Sequence, residues 1–209
     1  MPVARTIPPG RAGRMWLRGR LGTAERGRDQ LDRKLRILIP EHQRLQTRLQ
    51  LRQEAWSAAY DEAQTWMLRA VLLGGQDAIR GATPARLADV EVTWTSAMGL
   101  SYPEDAVVVD PGPGGEAMPG NAAIVPATQA FRAALLAGAR AAAAQEAVAR
   151  LESEIAVTRR RMRALDKRWL PWLHDALARL ELTLEQTEQE DGIRLRRAVA
   201  NPADGRSGA

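Results

Sequence analysis

The chain has 209 residues, a formal net charge of +5 and no cysteine, and only 4% of its residues are aromatic. The lack of cysteine excludes disulfides and thiolate metal sites, and no apolar run reaches the ~18 residues that a membrane span needs. So few aromatic side chains supply little area for a globular core, whereas abundant Leu, Ala, Arg, Glu and Gln are typical of long exposed helices. The first ten residues lack the apolar core of a secretory signal, so we expect a cytoplasmic protein without membrane insertion.

Charge is distributed unevenly along the chain. Residues 1–36 contain ten Arg or Lys and three acidic residues, whereas residues 74–126 contain two basic and seven acidic residues. A basic end is suited to nucleic acid, anionic lipid or an acidic protein surface. The plainer interpretation is that the arginines only keep a long helix soluble.

The first long element is a helix predicted over residues 14–73, after a flexible lead-in at 1–13 that is rich in Pro and Gly. Alternating steps of four and three residues from Leu17 to Leu73 meet an apolar side chain at 14 of 17 positions. A repeat of 3.5 residues held over this length is typical of a supercoiled helix pair. Sixty residues of helix would extend roughly 90 Å, so this helix cannot be contained in a small globule.

Residues 74–127 form a central segment of different character, because its two opening glycines are a typical helix stop. Apolar and polar residues alternate over 90–94, which predicts a strand, and the three valines at 107–109 are a second candidate. We expect a short β-hairpin here, followed by a Pro/Gly-rich loop over 110–121.

A second long helix is predicted over residues 128–199, followed by a disordered tail at 200–209. Its apolar seam shifts by one residue next to Pro171, which is a stutter in the repeat. Pro171, like Pro40 in the first helix, is expected to kink or loosen its helix, because proline removes a backbone donor and clashes with the preceding turn. Trp172 is one step off the shifted seam and is a candidate contact for another subunit.

The predicted fold class is mainly α. The N- and C-terminal helices pair as a long antiparallel two-helix coiled coil, and a small central segment with a short β-hairpin and loops joins them. If the numbers of facing residues sum to about 211, Pro40 and Pro171 lie level and form one weak point, although a slip of one heptad preserves most of the pattern. That register defines the seam, in which Leu31 faces Leu180, Leu38 faces Leu173, Leu49 faces Met162 and Trp56 faces Ile155.

The residue patterns predict no catalytic site, no cofactor and no metal site. The glycine-rich run at 112–115 lacks the Lys-Ser/Thr of a phosphate-binding loop. His42 and His174 have no second ligand at helical spacing, so a packed histidine is favoured over a metal ligand in each case. The acidic residues of 181–191 are expected to form a solvated helix face and not a catalytic pair. We therefore expect a protein that is not an enzyme.

Three blocks of sequence, at 17–38, 90–103 and 158–197, carry a resemblance that covers nearly the whole chain. The matching residues are Leu21, Ala24, Gly27, Leu31, Asp32, Lys34 and Leu38, then Val90, Glu91, Val92, Met98, Gly99, Leu100 and Pro103, and then 158–165, Leu170, Pro171, Leu180, Leu184, Glu185, Glu188 and 194–197. In this order they resemble the D subunit of the V-type and archaeal A-type ATPases, the rotor protein of the central stalk. Arg163 and Asp166 depart from the family's usual Asn and Glu.

The resemblance implies a non-catalytic rotor shaft that couples ATP hydrolysis or synthesis in a catalytic ring to ion transport, with protons as the expected ion. The implied partners are the catalytic and regulatory ring subunits at the terminal end, a membrane-side collar subunit at the central segment, and the small F subunit of the stalk on the side. The complex would be peripheral to the membrane, and direct nucleic-acid binding is not expected. We expect the basic end that meets the ring to consist of Arg14, Arg18, Arg20, Arg194, Arg196 and Arg197.

Two alternatives remain. A stand-alone basic coiled-coil protein that binds nucleic acid would account for the Arg-rich start and the high isoelectric point, but the basic residues lack interleaved aromatics and a known docking motif. The γ subunit of F-type ATPases is nearer in function, but that family usually has a larger α/β insert than the central segment allows.

Overall fold

A computed structural model describes residues 7–82, 87–109 and 120–200. The described chain is 83% helical. Its elements are helix α1 (Gly10–Ala82), strands β1 (Asp89–Ala97) and β2 (Leu100–Val109), helix α2 (Ile124–Ala164), a π-helical turn (Leu165–Trp169) and helix α3 (Leu170–Ala200). Most of the predicted Pro/Gly-rich loop, the first six residues of the predicted lead-in and residues 201–209 of the predicted tail lie outside the described residues.

The long helices extend beyond the predicted bounds. Helix α1 begins at Gly10 and continues to Ala82, and Gly75 is a non-helical residue within it, with φ of 65° and ψ of −173°. Glycine tolerates this positive φ at little cost, so the chain turns at Gly75 and then resumes its helix. Helix α2 starts at Ile124, and Asn121 forms the turn ahead of it: the Asn121 side-chain oxygen accepts a hydrogen bond of 2.9 Å from the Ala123 amide, and the Asn121 carbonyl accepts one of 3.3 Å from the Ile124 amide.

The chain divides into two compact units, and α1 contributes to both. Unit 1 contains the described residues up to Arg33 and from Arg159 onward, and unit 2 contains Lys34–Thr158. Within each unit, α1 runs antiparallel to the helix that it packs against. The mainly α fold with antiparallel N- and C-terminal helices and a central hairpin is therefore confirmed.

The core of unit 1 is a small apolar cluster between α1 and α3. Leu17 and Ala24 of α1 pack with Leu173 and Ala176 of α3, and half-buried apolar side chains surround them. Both leucines are completely buried. Burial of a leucine side chain contributes roughly 1.5–3 kcal/mol, so these contacts hold the helices of unit 1 together.

The core of unit 2 is unusually rich in alanine. Ala63 of α1 packs with Ala130 and Ala134 of α2, and nearer the middle of α1 Leu45 packs with Leu151. Small side chains allow the two helix backbones to approach closely, and alanine also favours helix by propensity. The low aromatic content noted in the sequence is thus compatible with a packed helix pair.

The central hairpin consists of β1 and β2, paired antiparallel with one irregularity between Thr93 and Trp94. Met98 and Gly99 connect the strands and both have positive φ, at 50° and 78°. Positive φ at both central residues is the requirement of a two-residue type I′ turn. This irregularity is a β-bulge. A β-bulge increases the local twist of the strand and so changes the direction in which the following side chains point.

The one-residue shift of the seam coincides with the π-helical turn. The Leu170 amide donates its hydrogen bond to the Leu165 carbonyl, one residue further back than in an α-helix. This wider turn takes up one extra residue immediately before Pro171 and leaves Leu173 fully buried. Pro40, in contrast, lies inside α1 without non-helical dihedral angles, and the expected kink or loosening at Pro40 stays a prediction.

The predicted helix register is wrong in unit 2. Trp56 faces Gly138, where an added Cβ atom would lie 3.0 Å from the indole Nε1. The sequence register placed Ile155 there, about 17 residues further along α2, which is not a whole number of heptads. The error arises because a seam of leucine and alanine fits many registers, whereas a tryptophan that needs a glycine opposite it fits few.

The register is also wrong in unit 1. Leu180 was expected to face Leu31, but its side chain lies against Gly13. The other two predicted pairs, and the two prolines expected to lie level, join residues that belong to different units. These pairings therefore stay predictions.

Candidate interaction surfaces

The described residues contain no group of three or more His, Cys, Asp or Glu side chains that could hold a metal ion. None of the helices within the described ranges is long and apolar enough to cross a membrane. The features with potential for binding are four surfaces, two in each unit.

The predicted seam residues differ in burial. Leu38, Ile155 and Leu173 are buried, whereas Trp56 is 45% exposed. The remaining four are half-buried, namely Leu31, Leu49, Met162 and Leu180. The Nε1 edge of the Trp56 indole covers Gly138.

The first surface is the arginine-rich end of unit 1, where cations and carboxylates alternate. Arg18 donates to Glu181 at 2.7 Å and Arg11 donates to Glu188 at 2.9 Å. The acidic residues of α3, expected to be purely solvated, therefore help to pair α3 with α1. Exposed pairs of this kind contribute little to stability, but they reduce the free positive charge of this end.

The six arginines predicted to contact a ring lie on two helices, and their contact with a ring stays a prediction. Arg194 is more than a full helical turn beyond Glu188, roughly 9 Å further along α3, while Glu188 already faces Arg11. Arg194 also lies within 4 Å of two carboxylates of its own helix, and Arg20 covers the Trp16 ring at 5.3 Å. The structure thus separates a group on α1 from a group on α3, namely Arg14, Arg18 and Arg20, and Arg194, Arg196 and Arg197.

The second surface is the hairpin, which polar contacts fix to the helices of unit 2. Arg52 of α1 donates to the Asp105 carboxylate at 2.8 Å and to the Arg140 carbonyl of α2 at 3.0 Å. Tyr102, which is buried, donates its hydroxyl hydrogen to Glu41 Oε1 at 2.9 Å. One guanidinium therefore joins β2, α1 and α2, and the hairpin is held from both helices.

The contacts at the base of the hairpin shift two pKa values in opposite directions. The pKa of Glu41 is lowered, chiefly by the hydrogen bond from Arg44, against the effect of burial and with help from Tyr102. The pKa of Tyr102 is raised, first by burial and then by its hydrogen bond to Glu41. Both shifts favour a neutral phenol that donates to an ionised carboxylate.

The third surface is an apolar patch near the end of unit 2, on the last turns of α1 before Gly75. Leu72 is 84% exposed and Leu73 is 65% exposed. They line an open groove of about 330 Å³ together with Trp66, Arg69, Ala122 and Ala123. A contiguous exposed apolar patch of this kind is typical of a protein–protein interaction site.

The fourth surface, in unit 1, is a pair of exposed tryptophans at the end of the π-helical turn. Trp169 and Trp172 stack with ring centroids 5.1 Å apart and planes inclined by 20°. Trp172 was a candidate subunit contact in the sequence, and its exposure is compatible with that expectation.

Sequence reasoning did not find the hairpin contacts or the apolar patch. Arg52, Tyr102 and Asp105 are far apart in sequence, and no local pattern links them. The patch had a local signal, because Val71, Leu72 and Leu73 are consecutive apolar residues ahead of a glycine pair, and a single helix face cannot bury three consecutive side chains.

Comparisons with known proteins identify similar chains. A family model described as the D subunit of ATP synthase matches residues 15–200. The D subunit of the A-type ATP synthase of Haloarcula marismortui is 30% identical over 204 residues, which is 95% of this chain and 89% of the relative. The D subunits of the V-type ATP synthases of Thermotoga neapolitana and Thermus thermophilus are each 28% identical, over 92% and 91% of this chain and 96% and 86% of the relatives.

Proposed function

Because the chain belongs to the family of ATP synthase D subunits, which are components of a multi-subunit ATPase complex, we propose that it is the central rotor shaft of that complex. In this role it couples ATP hydrolysis or synthesis in a ring of catalytic and regulatory subunits to ion transport, with protons as the expected ion. The shaft itself catalyses no reaction, and the complex is cytoplasmic and peripheral to the membrane. The observation that carries the proposal is the family match over residues 15–200.

The paired helices support a mechanical role. A shaft must resist torsion, and the buried seams between α1 and its partners in each unit provide contacts along the helices. If the shaft is asymmetric, each rotational position allows a different catalytic interface to close. Coupling is then reciprocal, because a rotation that changes nucleotide affinity must itself be driven by nucleotide binding.

The described surfaces support an assignment of partners. The arginine-rich end of unit 1 is suited to acidic loops of the ring subunits. The apolar patch formed by Leu72 and Leu73 is suited to the membrane-side collar subunit, because a collar contact must transmit torque without slipping and apolar packing excludes water. The small F subunit of the stalk would bind the side of the paired helices.

The experiment is purification of the affinity-tagged full chain from its native cells, with identification of the co-purifying proteins. The proposal predicts the catalytic, regulatory, collar and small stalk subunits in stable association. Recovery of the chain alone, or with nucleic acid and none of these subunits, would contradict it.

A pair of variants tests the collar contact. Leu72→Ser/Leu73→Ser removes apolar area from the patch, and we expect the purified complex to retain the ring subunits but to lose most of the collar subunit. Leu51→Ser is the matched control, because Leu51 is a similarly exposed leucine elsewhere on α1. Equal collar recovery from the double variant and the control would refute this contact.

A further inference from the structure

The stacked tryptophans of unit 1 are unusual for an exposed helix surface. Each of Trp169 and Trp172 is 38% exposed, and both flank Leu170 and Pro171 at the end of the π-helical turn. Such turns occur frequently at functional sites. Two large aromatic side chains left partly in water at one point of a helix are also typical of a binding hot spot.

Trp172 forms one wall of a groove. The groove has a volume of about 340 Å³ and is also lined by Arg179 of α3 and by the segment Ile7, Pro8 and Pro9 ahead of α1, which forms a proline wall. The Pro8 carbonyl approaches Gly13 so closely that a Cβ atom at Gly13 would clash with it. The proline wall is therefore held against α1, and the groove exists before any partner binds.

The stretch that leads into the tryptophans, residues 159–168, is positively charged. In residues 159–168 the only acidic residue is Asp166, and the Arg28 side chain binds it at 2.8 Å. Within the described part of the chain no ion pair engages the six cations of this stretch, which are Arg159, Arg160, Arg161, Arg163, Lys167 and Arg168. Positive charge around an apolar centre selects a partner with carboxylates around an apolar side chain.

We propose that the stacked pair, its groove and the adjoining cations bind an acidic segment of a ring subunit that inserts an apolar side chain against the Trp172 indole. This rests on the proposed rotor function. The tryptophan pair lies where the π-helical turn joins α3 and has no counterpart among the described residues of α1 in unit 1, so it distinguishes one side of unit 1 from the others. A ring with several equivalent segments would then have one of them engaged at a time, which gives the shaft a defined angular position.

The test measures binding of the full chain to the purified ring of catalytic and regulatory subunits. For the double variant Trp169→Ala/Trp172→Ala we expect binding at least about tenfold weaker, because buried tryptophans at interfaces are hot spots. Trp94→Ala is the matched control, since Trp94 is 50% exposed on β1 in unit 2, and it should bind within about twofold of the unchanged chain.

A second variant tests the charge without touching the aromatic pair. Lys167→Glu/Arg168→Glu changes two exposed side chains and should also weaken ring binding about tenfold or more, and the salt dependence of the remaining binding should be smaller. Retained helicity by circular dichroism confirms that each variant is folded.

The outcomes separate the two proposals. If the unchanged chain does not bind the ring, the rotor function fails and this inference fails with it. If it binds and both double variants bind equally well, only this inference is overturned. If the double variants lose binding to duplex DNA or to the small stalk subunit but still bind the ring, the surface serves another partner. That result would also overturn this inference.

Discussion

At the scale of single residues, two glycines mark where other groups approach the helices most closely. Gly13 leaves room for the Pro8 carbonyl, and Gly138 leaves room for the Trp56 indole. Neither glycine is needed for a special backbone conformation, since both are helical with ordinary φ. The role of both glycines is steric. The loss of stability on replacing either glycine with a larger residue therefore depends on whether the group that lies against it can move.

Gly13→Ala should destabilise the protein, because a backbone carbonyl blocks the new methyl group and overpacking of this kind costs about 1–3 kcal/mol. Gly19→Ala is the control, since a Cβ at Gly19 meets nothing within 4 Å. That control should stabilise by up to ~1 kcal/mol through helix propensity. Denaturant unfolding measures both changes, and equal stabilisation by the two variants would contradict the packing of Pro8.

The phenol of Tyr102 offers a direct spectroscopic test of the hairpin base. The chain has two tyrosines, so Tyr60→Phe leaves Tyr102 as the only phenol. Its ionisation, followed by ultraviolet absorbance, should have a pKa above the ordinary value of about 10, because burial and the bond to Glu41 both oppose the phenolate. Adding Glu41→Gln should lower this pKa only in part, since burial remains. An ordinary pKa before the second change would contradict the docked hairpin.

The same pair gives the sign of the pH dependence. A raised pKa for Tyr102 means that its contribution to stability is present below the unfolded value and is lost as pH rises through the folded value. A lowered pKa for Glu41 means that its contribution is present above the unfolded value and is lost as pH falls through the folded value. We expect the contact to weaken at both extremes and to persist near neutral pH.

At the scale of elements, the hairpin depends on the geometry of one guanidinium. Arg52→Lys keeps the charge, but a compact ammonium cannot replace the planar fork that reaches both Asp105 and the Arg140 carbonyl. We expect faster amide hydrogen exchange in β2, with exchange in α3 unchanged. Arg80→Lys is a suitable control, because Arg80 pairs with the exposed Asp77 of its own helix. Identical β2 exchange in both variants would show that apolar packing alone holds the hairpin.

The elements themselves were predictable where local periodicity decides them. The 3.5-residue seam predicted the long helices, and the alternation at 90–94 predicted β1. The register was not predictable, because leucine and alanine repeat too regularly to distinguish one pairing from another. What distinguishes the pairings is the Trp56–Gly138 contact and long-range ion pairs such as Lys34 with Glu154 at 2.7 Å. The stutter next to Pro171 was visible in the sequence, whereas the π-helical turn that takes it up was not.

At the scale of the whole molecule, similarity to the D subunits of ATP synthases extends over nearly the full length, so the function to be explained belongs to an assembly. Unit 1 carries the arginine-rich end and the tryptophan pair, and unit 2 carries the hairpin and the apolar patch. Each of these surfaces is suited to a different class of contact by its charge or apolar area. A stand-alone function would leave the apolar patch without a partner.

The central claim is that this chain turns relative to the ring. Glu91→Cys would place the only cysteine of the chain on the exposed strand β1, where a bead can be attached in the purified complex with the ring fixed to a surface. ATP should drive continuous rotation of the bead in one direction, and rotation should stop when ATP is removed. A bead that stays fixed relative to a ring that is hydrolysing ATP would contradict the account.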